Sequence, residues 1–148
     1  MWADPVVTRY IGGSPLSREE VWSRILRYVG HWALLGYGFW AVGERSGGAF
    51  VGELGFADFH RELHPPLTAP ELGWALASAM HGRGYATEAL GACLAWSEPR
   101  FPATCCLIDR ANAPSLRVAT KLGFGAAGEV LYRGTPLALL TRERRASS

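Results

Sequence analysis

The chain has 148 residues, of which 49% are hydrophobic and 19% charged, and its formal net charge is +2. This composition excludes a disordered chain and predicts one folded domain over residues 1–148. The small charge gives no electrostatic reason for a nucleic-acid partner, and no apolar run approaches the roughly 20 residues of a membrane helix, so we expect neither partner. The first residues lack the basic region and apolar core of a secretory signal, which predicts a cytoplasmic protein.

The first half of the chain predicts one helix and three strands. Ser17 and Glu20 form a capping box that begins a helix ending near residue 33. Its apolar residues recur at helical spacing and predict a stripe that packs on the core: Val21, Trp22, Ile25, Leu26, Val29 and Trp32. Strands at 39–44 and 49–58 are separated by a glycine turn and predict a hairpin, and a third strand follows at 71–77.

The second half predicts two helices, one strand and a final hairpin. A helix over about 84–97 is followed by a strand at 104–109 and a second helix that starts near Asn112. Strands at 124–132 and 135–141 complete the chain. The order of elements predicts an α+β fold, a mixed and mostly antiparallel sheet with helices on both faces.

The three cysteines, Cys93, Cys105 and Cys106, are an odd number without the spacing of metal ligands. The last two are adjacent on a predicted strand, so their side chains point to opposite faces. This pattern predicts reduced thiols that pack as small apolar residues, and no metal site.

A glycine-containing loop directly precedes the helix that begins near residue 84. Gly82 and Gly84 allow a close approach to the backbone, and the helix start offers unpaired N–H groups at the positive end of the helix dipole. Such a junction favours phosphate binding, although the same pattern also occurs in ordinary loops.

The segment Arg-Gly-Tyr-Ala-Thr-Glu-Ala at residues 83–89, after the strand at 70–77, resembles the acetyl-CoA-binding motif of the GNAT superfamily of N-acetyltransferases. It is most similar to the branch that contains the ribosomal-protein-alanine N-acetyltransferases. That motif runs Gln/Arg-x-x-Gly-x-Gly/Ala; Gly84 and Ala86 fill the later positions, while His81 occupies the first. The resemblance implies the GNAT fold, acetyl-CoA as co-substrate and no metal. It implies cofactor contacts from Leu76, Ala77, His81, Gly82, Arg83, Gly84, Tyr85, Ala86, Thr87, Asn112 and Ser115.

A second motif is Asn112-x-x-Ser115, followed by Lys-Leu-Gly-Phe at 121–124. The resemblance places this helix beside the pantetheine arm, so that Asn112 would hydrogen-bond the cofactor and Ser115 would protonate the departing thiolate. The alternative is structural, because Asn and Ser at a helix start are common capping residues.

Acetyl transfer to an amine needs a group that accepts the proton of the amine. Glu71 begins the strand that leads into the glycine loop, and the small residues Gly73 and Ala75 on the same strand face predict room for a substrate. Glu53 is the second candidate. The alternative for both carboxylates is a solvated side chain or an arginine partner.

Histidines and tryptophans are weaker candidates. His60 and His64 lie in a loop without ligand spacing, which predicts surface positions. Most tryptophans are expected in the core by their placement, and only Trp74 is expected to line an acceptor pocket. The tryptophans considered are Trp22, Trp32, Trp40, Trp74 and Trp96.

The function predicted is direct transfer of an acetyl group from acetyl-CoA to a primary amine, with a protein N-terminus as the default acceptor. The alternative is a non-catalytic acyl-CoA-binding or regulatory module. A Rossmann-type nucleotide domain fits poorly, because only two glycines match and the hairpins indicate antiparallel strands. The family's first strand and first helix are missing before residue 3, so we expect an N-terminally truncated fold whose strand at residue 39 lacks a neighbour. This edge predicts self-association, including a homodimer, or low stability.

Overall fold

The computed structural model describes residues 1–144, which contain four α-helices and six strands. In chain order the elements are α1 (Pro5–Thr8), α2 (Arg18–Leu35), β1 (Phe39–Gly43), β2 (Phe50–Ala57), β3 (Glu71–Leu76), a 3-10 turn (Ser78–Met80), α3 (Tyr85–Ser97), β4 (Ala103–Asp109), α4 (Ala113–Lys121), β5 (Gly125–Tyr132) and β6 (Thr135–Glu143).

The six strands form one sheet in the order β1-β2-β3-β4-β6-β5. The β3–β4 pair is parallel and the other four pairs are antiparallel. This arrangement confirms the predicted mixed sheet. Among residues 1–144, no helix combines the length and hydropathy needed to cross a membrane.

Helices pack on both faces of the sheet, as predicted. Because side chains alternate along a strand, Leu54 and Phe56 of β2 lie on one face, in a core with Leu90 of α3 and Ala119 of α4. Ala75 of β3 lies on the other face, in a smaller cluster with Trp2 and Val7.

Helix α2 begins as predicted but turns a different side toward the sheet. Ser17 and Glu20 make both hydrogen bonds of the capping box, and Gly36 ends the helix in the left-handed conformation. The predicted buried stripe is wrong for Trp22, Leu26 and Val29, which are 60%, 53% and 62% exposed. Of the predicted stripe, Val21 contacts the N-terminal cluster and Trp32 contacts the sheet, and Arg24 and Tyr28 make further contacts with the sheet.

Stacking and ion pairing explain this orientation of α2. The Tyr28 ring stacks on Phe39 of β1 with centroids 4.6 Å apart, and Arg24 pairs with Glu53 of β2. The sheet presents the Glu53 carboxylate and the Phe39 ring to this helix. An arginine can pair with the carboxylate and a tyrosine can stack on the ring, whereas aliphatic side chains would leave the carboxylate without a partner. The short helix α1 was not predicted, because a single turn capped by Asp4 has no periodic pattern.

Strand β1 forms one edge of the described sheet, and Trp32 covers its beginning. The Trp32 indole donates to the carbonyl of Phe39 at 2.9 Å, and a Cβ on Gly38 would lie only 2.6 Å from the indole ring. Glycine at position 38 therefore allows the indole to reach the strand edge. The indole shields part of an edge that would otherwise favour pairing with another chain.

Candidate functional site

The two parallel strands at the centre of the sheet separate along their length. Strands β3 and β4 share one registered pair, Glu71 with Cys105, which lies at the start of β3. Beyond this pair, residues 72–76 of β3 and 106–109 of β4 have no ladder between them in the described structure. We call this gap the cleft. An extended molecule in the cleft can hydrogen-bond to the facing strand edges in the way that an added strand does.

The glycine loop lies at the open end of the cleft. β3 ends at Leu76 and continues through the 3-10 turn to Gly82 and Gly84, whose φ angles are +72° and +83°. A side chain is strained at such angles, so the loop depends on glycine at both positions. A Cβ added at either glycine would meet no atom within 4 Å, which leaves the surface above the loop open.

Helix α3 begins at this loop without a side-chain cap. Gly84 is the N-cap residue, and the first intrahelical bond runs from Glu88 N to Gly84 O. The amides of residues 85–87 precede that bond and point along the axis toward the open surface. The residues therefore fit a diphosphate group, which would receive backbone hydrogen bonds and the positive end of the helix dipole.

Side chains around the loop hold it in place. The ring Nε2 of His81 lies 3.0 Å from the carbonyl oxygen of Leu76. Glu44, in the β1–β2 turn, accepts hydrogen bonds from Arg83 Nη2 at 3.2 Å and from the Tyr85 hydroxyl, and the bond to Glu44 raises the pKa of Tyr85. These contacts tie the hairpin turn to the start of α3.

Helix α4 begins at the same end of the sheet. It follows β4 as α3 follows β3, and because the two strands are parallel both helix starts flank the open end of the cleft. The Asn112 side chain accepts from the amide of Ser115 at 3.2 Å, so it does cap α4. No described residue hydrogen-bonds the Ser115 hydroxyl or the Asn112 amide nitrogen.

Glu71 lies at the narrow end of the cleft and pairs with the partly buried Arg61. Arg61 binds both of its oxygens, with Nε–Oε2 at 2.7 Å and Nη2–Oε1 at 3.0 Å, and the Arg61 guanidinium also lies 4.6 Å from the Tyr132 ring centroid. Burial acts to lower the pKa of Arg61, but the hydrogen bonds and charge of Glu71, with a smaller contribution from Tyr132, outweigh it and raise that pKa.

Glu53 and Glu71 line different cavities. Glu53 borders a cavity of about 590 Å³ between α2 and the β1–β2 hairpin. It accepts from the Tyr28 hydroxyl and lies 3.4 Å from Arg24 Nε, while burial and the Glu53 charge raise the pKa of Tyr28. Glu71 borders a cavity of about 480 Å³ within the loop at 58–70. The two carboxylates therefore do not converge on one site.

Comparison with known proteins identifies the family. The acetyltransferase (GNAT) domain family matches residues 1–125 of the chain. This chain belongs to the GNAT acetyltransferases. A protein of Bordetella pertussis assigned to this family is 34% identical, with a TM-score of 0.81 over 93% of this chain and 86% of that one.

Two further relatives are informative about this GNAT domain. The uncharacterized protein YkkB of Bacillus subtilis (strain 168) is 33% identical over 112 residues, which are 73% of this chain. The match spans 63% of the length of YkkB. The Salmonella typhimurium protein yncA, whose structure holds its cofactor acetyl-CoA, shares the fold at 19% identity, with a TM-score of 0.70 over 92% of this chain and 79% of that one.

Several sequence predictions for this GNAT domain need correction. The predicted room above Gly73 is filled, because a Cβ there would lie 3.0 Å from the Phe39 ring, and Ala75 is buried. Trp74 packs against the core on the α3 face and lines neither cavity. His60 and His64 are exposed, as predicted.

The cysteines are buried free thiols, as predicted. Burial raises the pKa of Cys93 and of Cys105 to about 12 and raises that of Cys106 as well. A protonated, buried thiol is a poor nucleophile, which is consistent with direct transfer. Among residues 1–144, no cluster of three His, Cys, Asp or Glu side chains is placed to hold a metal ion.

Sequence reasoning missed the residues that surround Glu71 and the glycine loop. Arg61 and Phe59 come from the loop at 58–70, and Tyr132 comes from the end of β5. Neither the loop nor the strand end has a periodic pattern, so only the long-range fold brings them together. Glu44 was missed for the same reason, although its place beside the Ser-Gly-Gly turn puts it at a hairpin tip.

Proposed function

We propose that this GNAT domain transfers the acetyl group of acetyl-CoA directly to a primary amine. One observation carries the proposal: the parallel strands β3 and β4 share a single pair, and an uncapped helix start follows the open end of the resulting cleft. An extended anionic molecule fits this combination, because strand edges and helix amides offer unpaired donors along one line. Membership of the GNAT family supports acetyl-CoA as that molecule.

The residues of the cleft bind and orient the co-substrate. The amides of residues 84–87 hold the diphosphate, while the edges of Leu76 and Ala77 and the start of α4 hold the arm that leads to the thioester. Acetyl-CoA supplies an acyl group on a good leaving group. Holding the thioester in the cleft, beside the start of α4, fixes the distance to an incoming amine and lowers the entropic cost of the reaction.

The reaction forms a C–N bond and breaks a C–S bond. The neutral amine attacks the thioester carbon, the thiolate leaves, and the amine nitrogen loses one proton while the thiolate gains one. Glu71 is the first candidate for the proton acceptor and Glu53 is the second. Ser115 is the proposed proton donor to the thiolate. Both oxygens of Glu71 already accept hydrogen bonds from Arg61, so we expect the contribution of Glu71 as a proton acceptor to be modest.

A protein N-terminus is the acceptor we propose first, because the glycine-loop motif resembles the branch that acetylates ribosomal proteins. The cavity that Glu71 lines is formed by both arms of the loop at 58–70 and is partly polar, with Asp58 and His60 at its wall. A cavity of about 480 Å³ is large enough to hold the end of a peptide.

The test combines binding and turnover. Acetyl-CoA at millimolar concentration should raise the melting temperature of the chain, and free thiol should appear when an amine acceptor is added. An unchanged melting curve would contradict the cofactor site. Stabilisation without thiol release across peptides, amino acids, polyamines and aminoglycosides would instead favour the non-catalytic acyl-CoA-binding module. The pairing of Glu71 with Arg61 favours this alternative, because it occupies both oxygens of the first candidate base.

A further inference from the structure

On the face of the sheet covered by α2, two arginines have a carboxylate partner and a third arginine has none among the described residues. Arg24 pairs with Glu53, and Arg61 pairs with Glu71. Arg27, on the same side of α2 as Arg24, has no ion pair among residues 1–144. Burial lowers the pKa of Arg27, and the nearby charges of Arg24 and Arg61 lower it further.

Arg27 lies beside the ring of Phe59, a residue of the cavity that Glu71 also lines. Its guanidinium carbon is 4.9 Å from the ring centroid of Phe59, and that of Arg61 is 4.8 Å from the same centroid. Phe59 lines the cavity. Since Glu71 occupies Nε and Nη2 of Arg61, Arg27 is the arginine at this wall whose guanidinium donors are not used by a described residue.

Asp58 is the other carboxylate that lines this cavity, and local contacts hold it. Its Oδ1 accepts from the amide of His60 at 3.0 Å, and its Oδ2 lies 3.6 Å from His60 Nε2. The Asp58 carboxylate therefore interacts with His60 of its own loop and not with the Arg27 guanidinium. Arg133, whose guanidinium carbon lies 5.3 Å from the Tyr132 ring centroid, adds a further positive charge on the side of Tyr132.

We propose that the acceptor amine carries a carboxylate, which Arg27 binds at the Phe59 wall while the amine reaches the neighbourhood of Glu71. This inference rests on the proposed acetyl transfer. A planar guanidinium binds a carboxylate through two parallel hydrogen bonds, and packing against an aromatic ring limits the competing solvent. The carboxylate has two sources: the α-carboxylate of a free amino acid, or an acidic side chain near the start of a polypeptide.

Matched acceptor pairs test the proposal and separate the two sources. One arm compares L-alanine with L-alaninamide, and the kcat/KM of each is corrected for the fraction of its amine that is neutral. The other compares the tripeptide amides Ala-Asp-Ala and Ala-Asn-Ala, whose amines titrate alike. The readout is kcat/KM from thiol release with the full chain and acetyl-CoA. The expected result is a preference of about tenfold for the carboxylate in one arm, through a lower KM.

Arg27→Gln should abolish this preference by raising KM for the carboxylate acceptor, with kcat little changed. Arg9→Gln is the control, since Arg9 is exposed and its recorded contact is the Tyr10 ring. Equal kcat/KM for both members of each pair, or a preference that survives Arg27→Gln, would overturn the proposal.

A binding measurement keeps the inference separate from the proposed activity. The N-acetylated forms of both tripeptides are titrated calorimetrically into the chain in the presence of CoA. Tighter binding of the Asp peptide that is lost in Arg27→Gln supports the carboxylate site even if no amine is acetylated, in which case only the transfer reaction is contradicted. Equal binding of the two peptides, together with no preference for L-alanine over L-alaninamide in the kinetic arm, would contradict the carboxylate site even where transfer is observed.

Discussion

At the scale of single residues, the glycine loop and Glu71 illustrate two ways in which a residue supports the site. Gly84 acts through its backbone conformation, because a φ of +83° and an open surface are what the loop needs at the helix start. Glu71 acts through its charge, because it compensates the partly buried Arg61. Sequence patterns predicted the glycine turn at Gly84 and offered an arginine partner as the alternative for Glu71, but they did not indicate which arginine.

Replacing Gly84 with valine should abolish stabilisation by acetyl-CoA. A β-branched residue at this φ costs about 1–2 kcal/mol and shifts the amides at the helix start. Gly12→Val is the matched control, because Gly12 also has a φ of +83° and open space around it but lies between α1 and α2. Thermal melts with and without acetyl-CoA measure the effect. If both variants lose the acetyl-CoA melting shift, backbone strain alone explains the loss, and this result would contradict the assignment of the loop at Gly84 as the cofactor site.

Replacing Glu71 with glutamine should lower the stability of the apo chain by about 2 kcal/mol, because it leaves the partly buried Arg61 cation without a negative partner. The control is Glu129→Gln, which removes the exposed pair with Arg110 and should cost no more than about 0.5 kcal/mol. Urea unfolding measures both. Similar values for the two variants would show that Arg61 does not depend on Glu71.

At the scale of secondary-structure elements, position was predicted better than orientation. The capping box fixed the start of α2, and turn residues fixed the strand boundaries, because these signals act within a few residues. The buried side of α2 was predicted wrongly, since periodicity reports where apolar residues lie and not which surface is available to cover them. Tyr28 on Phe39 and Arg24 on Glu53 decide the orientation, and both contacts join residues that are far apart in sequence.

The exposed apolar stripe of α2 leads us to expect concentration-dependent self-association of the isolated chain. Trp22, Ile25, Leu26 and Val29 recur at helical spacing on the exposed side, next to the edge strand β1. Leu26→Lys should reduce the association, as measured by sedimentation velocity over a concentration series. Leu131→Lys, at a residue of β5 that is 66% exposed, should leave it unchanged. A monomeric wild-type chain at high concentration would contradict this expectation.

At the scale of the whole molecule, the fold and the glycine loop were accessible from the sequence, whereas the cavity walls were not. Residues 82–87 form one contiguous motif, but Arg61, Glu71, Tyr132 and Arg27 come together only after the sheet has formed. A single buried core also joins both halves of the chain, since it contains residues of β2, β3, α3, β4, α4 and β6. The buried thiols of the sheet and of α3 should make stability depend on pH.

The stability of the chain should fall as the pH rises above about 9. The folded state raises the pKa of Cys93 and Cys105 to about 12, so unfolded thiols ionise in this range while folded thiols keep their protons. The stability is therefore fully present below the unfolded pKa and is lost as the pH approaches the folded one, by about 1.4 kcal/mol per pH unit for each thiol. Urea unfolding between pH 8.5 and 10 should show a shallower slope for Cys93→Ala than for wild type; equal slopes would contradict the assignment.

The most direct test of the proposed site is a crystal structure of the chain with coenzyme A. We predict that the diphosphate lies within about 3.2 Å of backbone nitrogens among residues 84–87, with the sulfur in the cleft between β3 and β4. Density for the diphosphate at another surface, or a cleft closed by side chains beneath bound coenzyme A, would contradict the proposed site and the acetyl transfer that depends on it.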